Sequence, residues 1–223
     1  MDALLLARME ALLALYAEAH DPAYPVICFD ERPCFLIGEV LAAWPMATGK
    51  VAKEHYAYAK NGSCALLAAL EPLTGQRLGL VRARRTKKEH TEFCQALVAA
   101  WPGAKEIRLV QDNLNTHNES AFYENLPAAE AQALARKFEF HYTPKAASWL
   151  NMIEIEFSAL ARECLHCRIP TQEILEREVL TLLKERATKQ IKINWQFSLK
   201  TAREKLNSHY SRVNVENNRY KET

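Results

Sequence analysis

The amino-acid sequence predicts an α/β fold, a mixed five-stranded sheet flanked by helices on both faces. Three observations carry that expectation. Three short apolar runs bounded by turn residues come early in the chain with no helix between them, which reads as an antiparallel meander. After the third run, helix-like and strand-like segments alternate, as in sheets covered by helices. The 223 residues are 49% hydrophobic and 25% charged, the composition of a folded domain long enough to bury a full core.

The elements follow in order. Residues 2–19 place leucines at 4, 5, 6, 12, 13 and 15 among alanines and predict a helix, ended by Asp21-Pro22 and Pro25. Val26 to Phe29 is a short apolar run closed by Asp30-Glu31 and reads as a buried strand. Residues 32–60 contain Pro33, Pro45 and Gly49 and show little periodicity. They predict an irregular excursion with one short strand near 35–40. Asn61-Gly62 is a strong turn dipeptide. Cys64 to Leu70 and Leu78 to Val81 then form a hairpin around Pro72-Leu-Thr-Gly75. Thr86-Lys-Lys-Glu89 has the form of a capping box and starts a helix that runs to about Ala100, stopped by Trp101-Pro102-Gly103. Glu106 to Val110 is a fourth strand, running into Gln111-Asp112-Asn113. Helical segments follow at 119–125 and 128–137, then a fifth strand at Phe138 to Tyr142, broken by Thr143-Pro144. From Ser148 to Cys164 the pattern is helical, and two further helical segments span 171–190 and 198–209. This order matches the ribonuclease H-like fold.

Charge is nearly balanced, +2 overall, but residues 161–223 carry 13 basic and 8 acidic side chains. A basic last third is compatible with a polyanionic partner. No apolar run approaches the roughly 20 residues that cross a bilayer, and the N-terminus lacks a basic segment and a small-residue cleavage site. These features predict a cytoplasmic protein with no membrane partner. The six cysteines fit a reduced compartment. Cys164-Leu-His-Cys167 is the one CxxC pair, and without a second pair it cannot close a tetrahedral zinc site.

The residues of chemical interest are acidic. Asp30 closes the first strand, Asp112 the fourth, and Glu154 and Glu156 lie in the helix after the fifth. Carboxylates gathered at strand ends repel one another unless a cation neutralises them. A hard divalent ion such as Mg2+ prefers oxygen ligands, and two such ions can clamp the attacking and leaving oxygens of an in-line phosphoryl displacement. Singly, each aspartate is equally explained as a turn former or helix cap. Ile153, Phe157, Leu160 and Cys164 form the apolar stripe of the helix. Glu154 flanks it on the side of Asn151 and Ser158, a polar site wall. Glu156 lies on the side of Trp149 and Glu163, which reads as a solvent edge. The pattern favours Glu154 modestly and does not decide between them.

Three segments, VICFDERP around Asp30, VQDNLNTH around Asp112 and FEFHYTPKAASWLNMIEIEFSAL around Glu154, resemble the acidic blocks of transposases of the mariner superfamily, above all the bacterial insertion-sequence 630 family. NGSCALLAALEPLTGQR and RRTKKEHTEF are similar as well, and the resemblance spans roughly residues 5–210. It implies a DDE-type catalytic domain at 23–168, preceded by a linker helix at 1–22 and followed by a basic helical extension at 169–223. Carried over residue by residue, Asp30, Asp112 and Glu154 become the catalytic carboxylates and the ligands of two Mg2+ ions, with Mn2+ able to substitute. Leu150-Asn-Met-Ile-Glu154 is similar to the family's Leu-Asn-Pro-Ile-Glu block, and this similarity selects Glu154. The implied activity is metal-dependent hydrolysis of phosphodiesters at transposon ends, followed by strand transfer into target DNA. The implied partners are double-stranded DNA and a second copy of the chain, in a bacterial, nucleoid-associated setting.

The chain also departs from the pattern. Forty-one residues separate Asp112 from Glu154, longer than the family's usual spacing. Met152 stands where proline is common, and Ala146 where a histidine is frequent. The family's N-terminal helix-turn-helix segments are not in this sequence, which leaves a fragment, a catalytic half served by a separately encoded helix-turn-helix chain, or a decayed element. Two alternatives to a transposase follow: a ribonuclease H-like nuclease without strand transfer, and a catalytically idle DNA-binding or dimerising remnant.

A DNA-facing set is expected around the carboxylates. Arg82, Arg84, Arg85, Lys87 and Lys88 cluster where the third strand meets a helix, and cations there oppose the helix dipole. Asn113, His117, Lys145 and Trp149 complete the set. His117 has two further readings, as a residue that orients a carboxylate and, more commonly, as a hydrogen-bonded structural histidine, and Trp149 a second reading in core packing. The basic side chains from Lys184 to Lys205 either track a DNA backbone or form a solvated face.

Overall fold

The computed structural model describes residues 2–41, 48, 56–145 and 147–217. Most of the segment between the first two strands, and Ala146, lie outside the described residues. Helix α1 (Ala3–Tyr16) is followed by strands β1 (Val26–Glu39), β2 (Tyr58–Leu70) and β3 (Arg77–Arg82). Helix α2 (Lys87–Ala100), strand β4 (Ile107–Gln111), helices α3 (Ser120–Asn125) and α4 (Ala128–Ala135), and strand β5 (Phe138–Tyr142) alternate after them. Helices α5 (Ile153–Glu163), α6 (Gln172–Thr188), α7 (Leu199–Lys205) and α8 (Asn207–Val213) complete the order.

The five strands form one sheet in the order β3-β2-β1-β4-β5. β1 to β3 are antiparallel, and β4 and β5 run parallel to β1. Strand alternation divides the core between the faces. Ile27, Phe29, Leu67 and Leu109 pack with Phe93, Leu97 and Phe122 under α2, α3 and α4. Cys28, Ala68 and Val110 pack with Leu12, Ile153, Leu160 and Val179 under α1, α5 and α6. This is the expected mixed, helix-flanked sheet.

α2 carries the predicted capping box, with the Thr86 side chain and Glu89 reciprocally bonded. α6 lies over Gly79 of β3, where a Cβ would fall 2.4 Å from Leu183 Cδ1. α1 joins the core on the α5 side: the Tyr16 hydroxyl donates to Leu150 O at 2.9 Å, and Glu10 pairs with Arg203 of α7 at 2.8 Å.

The first hairpin differs from the sequence expectation. β1 runs on to Glu39 rather than ending near Asp30, and β2 begins at Tyr58. Asn61-Gly62 lies inside β2 and makes no turn. The register shifts between Phe35 and Ile37, so two residues of β2 face Leu36 alone. Gly62 supplies the bulge with φ +101°, a conformation open to glycine. Pro33 is tolerated because pairing with β4 stops at Cys28, leaving no bond on that side for the proline to forfeit. Nothing lies within 4 Å of a Cβ built on Gly62. Gly62→Ala is therefore expected to cost only the backbone penalty, about 1–2 kcal/mol, read as a fall in thermal midpoint. No change would place the bulge elsewhere.

Candidate active site

The sheet register builds the site. Cys28 of β1 lies beside Val110 of β4, and two residues further along each chain come Asp30 and Asp112. Alternation turns Asp30 to the same face as Cys28 and Ala68, the face covered by α5. The start of α5 is tied to that point of the sheet. Asn151, buried beneath it, donates from Nδ2 to Phe29 O at 2.8 Å, and Arg32 donates to Phe157 O at 3.1 Å. Glu154, in the first turn of α5, is thereby brought into electrostatic range of Asp30.

The electrostatics show Asp112 and Glu154 acting on Asp30. The Asp30 carboxyl is pushed up to about 7, first by burial and then by the charges of Asp112 and Glu154. The Glu31 amide, donating to Asp30 Oδ1 at 2.7 Å, opposes the shift. All the donors are carboxylate oxygens, the chemistry a hard divalent cation takes. The side chains as they stand do not close on an ion: among the described residues, no group of three or more His, Cys, Asp or Glu is placed to hold one.

A testable consequence concerns Asp30. Its folded pKa lies above its unfolded value, so the native state holds the proton where the unfolded chain has released it. Stability from this group is present below about pH 4 and is lost as pH rises to about 7. Asp30→Asn removes that loss, so it should raise the thermal midpoint relative to wild type at pH 8 and change it little at pH 4. Equal effects at both pH values would contradict the strained carboxylate.

Behind Asp112 lies a histidine. His117 is fully buried, with Nδ1 2.5 Å from Asp112 Oδ1 and Nε2 3.3 Å from Glu31 Oε1. Burial alone would lower its pKa, but the bonds and charges of the two carboxylates carry it up to about 9. His90 stacks on it at 4.9 Å, and burial together with the charge on His117 drives His90 down to about 4. The expectation that His117 faces DNA is corrected, because its ring is enclosed. The geometry matches a buried, hydrogen-bonded histidine set against a carboxylate.

Glu156 also corrects the sequence reading. It is no solvent edge: it is 0% exposed, with Arg77 donating at 2.8 and 3.0 Å and Arg186 at 2.9 and 3.2 Å. Burial raises its pKa, but the two guanidinium groups outweigh this and hold it below the usual carboxylate range. Glu156 is committed to a structural clamp, which leaves Glu154 as the free glutamate of the helix.

The remaining DNA-facing candidates divide. Arg82 pairs with Glu92 at 3.1 Å, and Lys87 is bonded to Glu124 and Ser120. Arg84, Arg85 and Lys88 are exposed and make no ion pair among the described residues. Asn113 and Lys145 are exposed. Trp149 is 46% exposed, its ring edge-on to Phe197 at 5.3 Å, so it is not a core residue. In the basic C-terminal third, Arg186, Lys189, Lys200 and Arg203 are taken up by acidic partners.

Fold and site together define a ribonuclease H-like domain with an acidic cluster where β1, β4 and α5 meet. Residues 25–176 match the family of DDE superfamily endonucleases, and the chain belongs to that family. It is similar in fold to the protein in the crystal structure of the Mos1 strand transfer complex, at a TM-score of 0.55 and 12% identity over 84% of this chain and 56% of that one. A pre-cleavage Mos1 transpososome aligns at a TM-score of 0.46 and 13% identity over 86% of this chain and 62% of that one. The chain thus spans less than two thirds of the length of either. No curated protein is found to match it. No helix among the described residues is long and apolar enough to cross a membrane.

Proposed function

We propose that the chain is the catalytic domain of a cut-and-paste DNA transposase related to the insertion-sequence 630 branch of the mariner superfamily. What supports this reading is that the charges of Asp112 and Glu154 reach Asp30 within a DDE superfamily endonuclease domain. Their carboxylates would hold two Mg2+ ions, for which Mn2+ can stand in. When bound, such ions supply charge neutralisation and a clamp on the attacking and leaving oxygens of the scissile phosphate.

The chain's own residues do the rest. Asp30 and Asp112 are fixed by the strand register, and Glu154 by the Asn151 anchor. Arg84, Arg85 and Lys88, with Asn113, Lys145 and Trp149, offer exposed contacts for a DNA backbone and bases. Hydrolysis at a transposon end frees a 3′-hydroxyl, which attacks the target phosphodiester at the same triad. We take the partners to be double-stranded DNA, a second copy of the chain, and helix-turn-helix segments supplied by this or a separate polypeptide. The setting is the bacterial cytoplasm, at the nucleoid. Residues 1–22, 23–168 and 169–223 serve as linker helix, catalytic domain and basic extension.

A second reading is favoured by one observation: the carboxylates as placed do not enclose an ion. This fits either a site completed by DNA or an idle remnant. Two assays separate the readings. Mg2+-dependent nicking of plasmid, abolished by EDTA, is expected for a transposase or a plain nuclease and absent in a remnant. Joining of a supplied 3′-hydroxyl end to target DNA is expected for a transposase alone.

A further inference from the structure

We infer that Glu31 is a positioning residue for Asp112, acting through His117. The inference rests on the proposed role of Asp112 as a metal ligand and extends it to a residue no motif singles out. Glu31 is the neighbour of Asp30 on β1, so alternation turns its side chain to the opposite face, beside Leu67 and away from α5. It is only 8% exposed there. A carboxylate buried in this way is costly unless it has a partner.

Its partner is His117. Glu31 Oε1 and His117 Nε2 are both buried without any aligned hydrogen bond, and they face one another at 3.3 Å. The other ring nitrogen, Nδ1, is 2.5 Å from Asp112 Oδ1. The result is a line of carboxylate, imidazole and carboxylate running from inside the core to the site.

The ring has little freedom to leave that line. His90 stacks on it at 4.9 Å, and the Phe29 ring meets it edge-on at 5.3 Å. The His117 carbonyl accepts from Gln111 Nε2 at 2.8 Å and from the Tyr142 hydroxyl at 3.1 Å. With face, edge and backbone held, Glu31 closes off the far nitrogen and holds the ring in the rotation that keeps Nδ1 directed at Asp112. That contact fixes Oδ1 of Asp112. Partners of this kind fix ligand orientation, and their loss costs about 10–100-fold in metal affinity or activity.

The test uses the whole chain in two measurements, with Glu31→Leu, the near-isosteric Glu31→Gln in case the leucine variant fails to fold, and His117→Asn. The first needs no metal: the Nδ1–H proton of His117 is followed by NMR. In wild type it is expected downfield and slow to exchange with water; in Glu31→Leu it is expected to exchange fast, and in Glu31→Gln to be intermediate. The second is Mn2+ affinity by titration calorimetry. Glu31→Leu should weaken Mn2+ binding about tenfold, and adding it to His117→Asn should weaken binding no further, because one path cannot be cut twice. An unchanged Nδ1–H proton in folded Glu31 variants overturns the inference, as does additivity with His117→Asn. If the proton responds but wild type binds no Mn2+, the line to Asp112 stands and the metal-ligand reading of Asp112 falls.

Discussion

Asp112→Asn is expected to abolish Mg2+-dependent cleavage of DNA while leaving the fold intact. The substitution is nearly isosteric, and the asparagine carbonyl can still accept from His117, so the polar contact at the end of β4 survives. What is lost is a negative charge at the point where a divalent cation must be held. Metal-assisted charge stabilisation contributes several kcal/mol to a phosphoryl transfer. At about 1.4 kcal/mol per factor of ten, its loss corresponds to a fall in rate on the order of a thousandfold. Plasmid nicking measured beside circular dichroism and thermal unfolding checks both halves of the expectation. Full activity in the variant would remove Asp112 from the site. Loss of activity with loss of fold would leave its role structural.

Glu156→Ala should produce a large loss of stability. The side chains of Glu156 and Arg77 are both 0% exposed, and that of Arg186 is 12% exposed. Removing the carboxylate leaves the wholly enclosed Arg77 guanidinium without an acidic partner, while Arg186 keeps only Glu163 at 3.1 Å. Breaking a buried pair from one side costs about 3–5 kcal/mol. For a chain of this size each kcal/mol moves the thermal midpoint by about 2–4 °C, so a fall of roughly 6–20 °C is expected. Replacing all three residues by apolar ones, Arg77→Met, Glu156→Leu and Arg186→Met together, should recover most of it, because the one charge then left unpaired, Glu163, is 46% exposed to solvent. A single Glu156→Ala shift under 2 °C would mean that the clamp does not hold α5 to β3 and α6. The clamp has a functional side as well, since it fixes the turn of helix that presents Glu154.

Much of this was legible in the chain. The Cys64 to Val81 hairpin, the Thr86 capping box and the Ile153, Phe157, Leu160 stripe are local signals, each complete within about 20 residues, and each forms as its pattern predicts. Asp30 and Asp112 could be seen at the ends of apolar runs. Their adjacency depends on β1 pairing with β4, which the strand order implies but no single segment states. The failures share one cause. Asn61-Gly62 looks like a turn because the dipeptide reports only that a positive φ is allowed. Whether it is spent on a turn or a bulge depends on the partner strand. Glu156 looks solvent-facing on a helical wheel because its two partners are 79 and 30 residues away. His117 looks like a DNA contact because Glu31, the acid on its far side, was read only as the neighbour of Asp30. Long-range ion pairs of this kind leave no periodicity to read.

The central claim, that Asp30, Asp112 and Glu154 form one metal site, is tested most directly by a crystal structure of the chain grown with Mn2+ and read by anomalous scattering, without and with DNA. The account predicts anomalous peaks bounded jointly by these three carboxylates, in the DNA-bound crystal at the least. Peaks on other residues, or none at the triad in either crystal, would contradict it.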